Sequence, residues 1–209
     1  MSNFEKKKQK AVVIIKKLKE LFPDAKIVLS YSNNFELLVA VMLSAQCTDK
    51  QVNIVTSKLF KKYKKLEDYA AARQEDFEQD IFSTGFYKNK AKNILATARI
   101  IKDKFDGRVP NTMNELLSLP GVARKTANVV LGNAYGIVEG IAVDTHVRRL
   151  SLKLGLTEHQ NPEKIEKDLM GILPKDEWFD FTYRLIEYGR KYCPAIKHDH
   201  ENCPLTKIT

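Results

Sequence analysis

The sequence is short of cysteine, glycine, proline and tryptophan, has too little acid to balance its base, and contains no long apolar run. Three cysteines, an odd number, argue against a disulfide framework and suit a reducing compartment. Nine glycines and seven prolines leave few breaks in 209 residues, and no low-complexity linker or fixed-period repeat is visible. No stretch approaches the ~20 apolar residues of a membrane span. Near the start, Ala11 to Ile15 is apolar, but Lys16 and Lys17 follow, which is too short for a signal-peptide core. The expected location is therefore cytoplasmic. What is present is a 44% apolar, 29% charged chain, enough for a packed core of one large domain or two small ones. Lysine and arginine number 35 against 26 acidic residues, giving a formal charge of +9. That excess favours a polyanionic partner, nucleic acid first.

The periodicity is helical. Ile14, Leu18, Leu21 and Phe22 mark one face of a first helix. Phe35, Leu38, Val41 and Met42 mark a second, set up by the turn residues Ser32, Asn33 and Asn34. Residues 50–63, 88–105, 112–118, 124–135, 162–172 and 178–191 read as further helices. Ile27–Ser30 and Ile141–Val143 read as extended but are too short to imply a sheet. The fold class is all-α.

The segment from Asn114 to Arg149 carries the chemistry. A short apolar helix, ELLSL, turns through Leu119-Pro120-Gly121-Val122-Ala123 into a second helix, RKTANVVLGNAYG. Proline stops the first helix and glycine permits the turn. Leu119 and Val122 are spaced to tuck beneath the two helices. The turn leaves backbone N–H groups free at the positive end of the second helix, which suits a phosphate oxygen. Arg124 and Lys125 fall in that first turn, an unfavourable place for cations on folding grounds alone. An ordinary hairpin with solvated basic residues fits the same stretch. Further on, an apolar run ends in Asp144-Thr145-His146, with Asp144 placed to cap the helix VRRLSLKLG. A plain capping role fits Asp144 equally well.

Taken together, LPGVARKTANVVL and VDTHVRRL resemble the helix-hairpin-helix DNA glycosylase superfamily, and within it the endonuclease III family. FELLVAVMLSAQCTD at 35–49, GFYKNKA at 85–91 and EYGRKYCPA at 187–195 extend the resemblance along nearly the whole chain. It implies a two-lobed, all-α fold with a DNA-binding cleft between the lobes. One lobe would be a six-helix barrel over 27–136, with the hairpin at about 112–135. The other would combine 1–26 with 137–209, including a degenerate iron–sulfur loop at 193–209. The implied activity is base-excision repair. The protein would remove oxidised or damaged pyrimidines from double-stranded DNA and cleave abasic sites by β-elimination, as a bifunctional glycosylase and lyase and as a monomer. The alternatives are a glycosylase for oxidised purines or mismatched bases, and a non-catalytic DNA-binding protein.

The resemblance assigns Lys125 as the Schiff-base nucleophile and Asp144 as the catalytic carboxylate. The helix end, Arg124 and partial burial favour the neutral amine that attack requires. The Lys125–Asp144 segment looks one residue longer than the family pattern, near Gly136–Gly140. Because the target base must be flipped out, Gln46 is expected to fill its place, and Phe86, after Gly85, to wedge the stack. Core packing of Phe86, or a helix-end hydrogen bond from Gln46, is the plainer reading. Lys88, Lys90 and Arg148 are expected to hold phosphates or to be merely solvated. Leu119, Gly121, Val122, Ala123, Arg124 and Thr126 would form the hairpin contact, and His146 would orient the aspartate loop. Ala123 stands where the hairpin often has a second glycine and would be strained at positive φ.

The tail departs from the family. The family's four-iron cluster is held by C-x6-C-x2-C-x5-C, which from Cys193 lands on His200, Cys203 and Thr209. Two of four thiolates remain, so no cofactor is expected, and the tail is expected to pack with two free thiols. In ligand type, Cys193, His198, His200 and Cys203 would also suit zinc, at an unusual spacing.

Overall fold

A computed structural model describes residues 2–208. Among them the α-helices are α1 Asn3–Leu21, α2 Asn34–Leu43, α3 Asp49–Lys62, α4 Leu66–Ala71, α5 Gln74–Ile81, α6 Tyr87–Lys104, α7 Met113–Leu117, α8 Arg124–Tyr135, α9 Thr145–Lys153, α10 Pro162–Ile172 and α11 Trp178–Lys191. Single 3-10 turns span Phe82–Thr84 and Lys175–Glu177. No strand occurs among the described residues, and Ile27–Ser30 and Ile141–Val143 are connecting segments. No described helix is long and apolar enough to cross a membrane.

The helix starts follow local chemistry. Asn33, Thr48, Asp144 and Asn161 each accept a backbone N–H with a side-chain oxygen at the first turn of α2, α3, α9 and α10. Such a cap contributes about 1 kcal/mol. Helix α8 starts at Ala123 with no side-chain cap.

The chain forms two compact units. Val28–Ile137 is built around α2, which is buried from Glu36 through Leu43. A helix apolar on all sides belongs at the centre of a core. Leu38, Leu43, Leu59, Ile94, Leu116 and Val130 pack there. Helices α4 and α5 are short and charged, and show no apolar period in the sequence. They are held by Tyr69, Phe77 and Ile81, all fully buried, with Tyr69 set edge-on to Phe35 and Phe77. Tertiary packing rather than propensity stabilises them.

The other unit joins Met1–Ile27 to Val138–Thr209. Its core gathers Ile14 and Leu18 of α1, Val147 and Leu150 of α9, Ile165 and Leu169 of α10, and Phe181, Leu185 and Tyr188 of α11. Cys193, Cys203 and Leu205 of the tail are buried in the same cluster. Helices α9 and α11 meet closely at Gly189, where a Cβ would lie 2.6 Å from Nδ1 of His146.

Candidate active site and nucleic-acid interface

The hairpin forms as its sequence dictates. Helix α7 ends before Leu119, which is buried together with Val122 beneath the turn. Gly121 sits at φ +76°, and a Cβ there would lie 2.8 Å from Nδ2 of Asn93. Both backbone and space therefore require glycine. Helix α6 braces the turn, since the Thr97 hydroxyl donates to the Pro120 carbonyl at 3.0 Å. Ala123 is extended at φ −94°, ψ 169°, so it replaces a glycine without strain. With no side-chain cap on α8, the first-turn N–H groups remain for a ligand. Arg124, Lys125 and Thr126 are half-buried in that turn. The Lys125 amine makes no hydrogen bond or ion pair among the described residues.

Two loops of the same unit meet beside the hairpin. Gln46 and Phe86 both adopt left-handed backbone, at φ 52° and 48°, and Gly85 before Phe86 is at φ 68°. Such conformations are uncommon for residues other than glycine and collect at functional sites. Gln46, Phe86, Asn89, Lys90, Asn93 and Gly121 line one cavity of about 170 Å³. The Phe86 ring is 63% exposed, which excludes core packing. Gln46 and Lys88 are exposed too. Cys47, in the Gln46 loop, packs partly against the core.

Lys90 corrects the sequence reading. It is neither a phosphate ligand nor solvated, being only 7% exposed. Its amine donates to the carbonyls of Leu43 and Thr84, both at 2.8 Å. It thereby ties the end of α2 to the turn before Phe86. Burial pushes its pKa below the usual lysine value.

In the other unit, Asp144 caps α9 through Oδ1, which accepts the Val147 N–H at 2.8 Å. The cap uses one carboxylate oxygen and the residue is half-buried. His146 is half-buried against Gly189 of α11, and Arg148 is exposed. Arg149 engages the tail. Its guanidinium donates to the carbonyls of Cys193 and Pro194, at 2.7 and 3.5 Å, and fastens the tail.

The tail also corrects the expectation of a metal-free loop with two free thiols. One ligand atom from each of Cys193, His198, His200 and Cys203 lies within 4.8 Å of every other. Four soft and borderline donors converging on one point form a metal-binding constellation. These are the four residues whose types suit zinc in the sequence, at a spacing that gives no sign of their convergence. Thr209, where the family spacing places the fourth ligand, lies outside the described residues. Sequence reasoning also missed the packing of Asn93 against Gly121 and of Arg149 against the tail, partners remote in the chain.

Comparison with known proteins agrees with this geometry. The family model of the HhH-GPD superfamily of base excision DNA repair proteins matches residues 39–175. Endonuclease III of Synechocystis sp. is 50% identical over 202 residues, covering 97% of this chain and 92% of that protein. A solved non-covalent endonuclease III–DNA complex superposes with a TM-score of 0.92 at 46% identity, covering 96% of this chain and 94% of that one. A trapped endonuclease III–DNA covalent intermediate matches with the same identity, coverage and TM-score. The chain belongs to the endonuclease III family of the HhH-GPD superfamily. The donor set of its tail, two thiols and two imidazoles, does not fit the four-thiolate cluster of that family.

Proposed function

We propose that this protein is a bifunctional DNA glycosylase and abasic-site lyase of base-excision repair, acting on oxidised pyrimidines in double-stranded DNA. It works in the cytoplasm on the cell's own DNA. The observation that carries the reading is a lysine amine without a partner among the described residues, in the first turn of a helix with no side-chain cap, after a turn whose Gly121 shares a cavity with left-handed Gln46 and Phe86.

Each part has a step. The hairpin N–H groups and the positive end of α8 hold a backbone phosphate. Phe86 wedges between base steps and Gln46 occupies the place of the flipped base, offsetting the cost of unstacking. The neutral amine of Lys125 attacks C1′ of the sugar. The bond from C1′ to the base breaks, and the base leaves with its electron pair and takes up a proton. Asp144 stabilises the positive charge that builds on the sugar and accepts the proton that the amine sheds. The ring opens to an iminium between Nζ and C1′. Loss of a C2′ proton then expels the 3′ phosphate, and water releases the lysine. Covalent capture of DNA by a relative supports this route.

Lys125→Gln tests it. The variant should bind damaged duplex as the parent does, and nick it at least about a thousandfold more slowly. Nicking at the parental rate would remove Lys125 as nucleophile.

A further inference from the structure

We propose that Cys193, His198, His200 and Cys203 hold one tetrahedral zinc ion in place of a four-iron cluster. The first ground is distance. Around a single zinc with bonds near 2.3 Å to sulfur and 2.0–2.1 Å to nitrogen, neighbouring donors stand about 3.3–3.8 Å apart. Sγ of Cys203 lies 3.4 Å from Nε2 of His198 and 3.6 Å from Nδ1 of His200. All four donors fall within 4.8 Å of one another. In a four-iron cubane each ligand sits on a different iron at a different corner, which spreads the donors more widely and calls for thiolates. Two thiols and two imidazoles around one point match zinc in both number and type.

The second ground is the surrounding shell. Nδ1 of His198 lies 2.8 Å from the Ile196 carbonyl. A carbonyl can only accept, so Nδ1 carries the hydrogen and the lone pair of Nε2 faces Cys203. That is the tautomer a zinc ligand needs, fixed by the kind of outer partner that zinc-bound histidines have. Arg149 reaches Sγ of Cys193 at 3.8 Å and its carbonyl at 2.7 Å, placing a cation against that sulfur. The ammonium of Lys153 contacts Nε2 of His200. On metal binding through Nδ1, that nitrogen becomes an N–H and the exposed lysine swings away.

The third ground is need. Among the described residues after α11 there is no α-helix, yet Cys193, Cys203 and Leu205 are fully buried there. A short loop with so little regular structure gains most from a metal, because binding energy becomes folding energy. Through Arg149 the loop is fastened to α9, the helix that Asp144 opens. The ion would therefore set the stability of that helix without touching DNA.

The test is elemental analysis of the full chain, purified without a metal-affinity tag from medium supplied with both iron and zinc. The expected result is one zinc per chain and no acid-labile sulfide. Iron with sulfide near four of each per chain, or a Cys193–Cys203 disulfide with no metal, would overturn the proposal. As a second measurement, cobalt(II) is titrated into protein stripped with chelator under reducing conditions. A one-to-one endpoint with the intense visible absorption of tetrahedral cobalt, and a thiolate charge-transfer band, is expected. His198 is half-buried, so His198→Asn should fold. Outer-shell losses alone cost about 10–100-fold in metal affinity, so this variant should bind cobalt about 100-fold more weakly. Unchanged affinity in it, or weak octahedral absorption in the parent, would overturn the site. Neither measurement depends on the protein's action on DNA.

Discussion

Asp144 does two jobs that one substitution can separate. Its Oδ1 caps α9, and its charge is assigned to the sugar cation. Asparagine caps helices as well as aspartate does but carries no charge. Asp144→Asn should therefore melt within about 0.5 kcal/mol of the parent and lose base-release activity by at least about a hundredfold. Thermal melting and single-turnover kinetics, run together, check this; parental kinetics would leave Asp144 with the cap alone. Phe86 offers the reverse contrast. Its ring contributes little to folding because it is 63% exposed. Phe86→Ala should leave stability within about 0.5 kcal/mol. It should weaken binding to a lesion duplex about tenfold, the scale of one lost stacking contact. Direct titration with labelled duplex measures it. At this scale the place of Lys125 in the first turn of α8, the Asp144 cap and the Gly121 turn were legible because each sits inside a local motif. Lys90 was not, because its partner Leu43 lies 47 residues away and nothing adjacent announces a buried amine.

Helices with a long apolar period could be read from the sequence almost to the residue, whether a side chain caps them, as in α10, or not, as in α6, α8 and α11. α4 and α5 were missed because they are short and acidic, and their buried positions are scattered: Tyr69 in one, Phe77 and Ile81 in the other. Their order comes from a ring cluster that joins Tyr69 and Phe77 to Phe35 of α2 and Tyr63 at the end of α3, which no local window contains. The same lesson applies where elements are tied together. Lys90→Met keeps the length of the side chain but strands the carbonyls of Leu43 and Thr84. It should cost about 1–3 kcal/mol and loosen the Gln46 and Phe86 loops, so nicking slows without loss of Lys125. The comparison is also pH-dependent. Burial lowers the Lys90 pKa from 10.5, so the folded state resists its proton. Below the lowered value both folded and unfolded chains are charged and the parent carries the full desolvation cost. As pH rises from there towards 10.5 that cost is relieved, and the parent should gain stability relative to Lys90→Met. Denaturant melts of both proteins across that range give the difference; a constant gap would mean that the amine titrates as it does in water.

For the whole molecule, charge was the first clue and remains a testable one. A formal +9 on 209 residues favours a polyanion, and phosphate contacts release counterions on binding. Affinity for duplex should fall at least about tenfold between 50 and 200 mM salt. A flat response would deny the phosphate contacts at α8. The all-helical class was readable from periodicity, and the hairpin and the family from motif blocks spread in order along the chain. The metal-binding constellation was readable only as a set of four residue types at an unusual spacing, because this loop brings two cysteines and two histidines together by folding back on itself. Ligand types were visible in the sequence; their convergence within 4.8 Å was not.

The central assignment is the lysine that forms an imine with DNA. Its most direct test is borohydride trapping of the parent and Lys125→Ala on two duplexes, one with an abasic site and one with thymine glycol. A covalent protein–DNA adduct should form with both duplexes for the parent and with neither for the variant. An equal yield of adduct from Lys125→Ala, or none from the parent on the abasic duplex, would contradict the assignment.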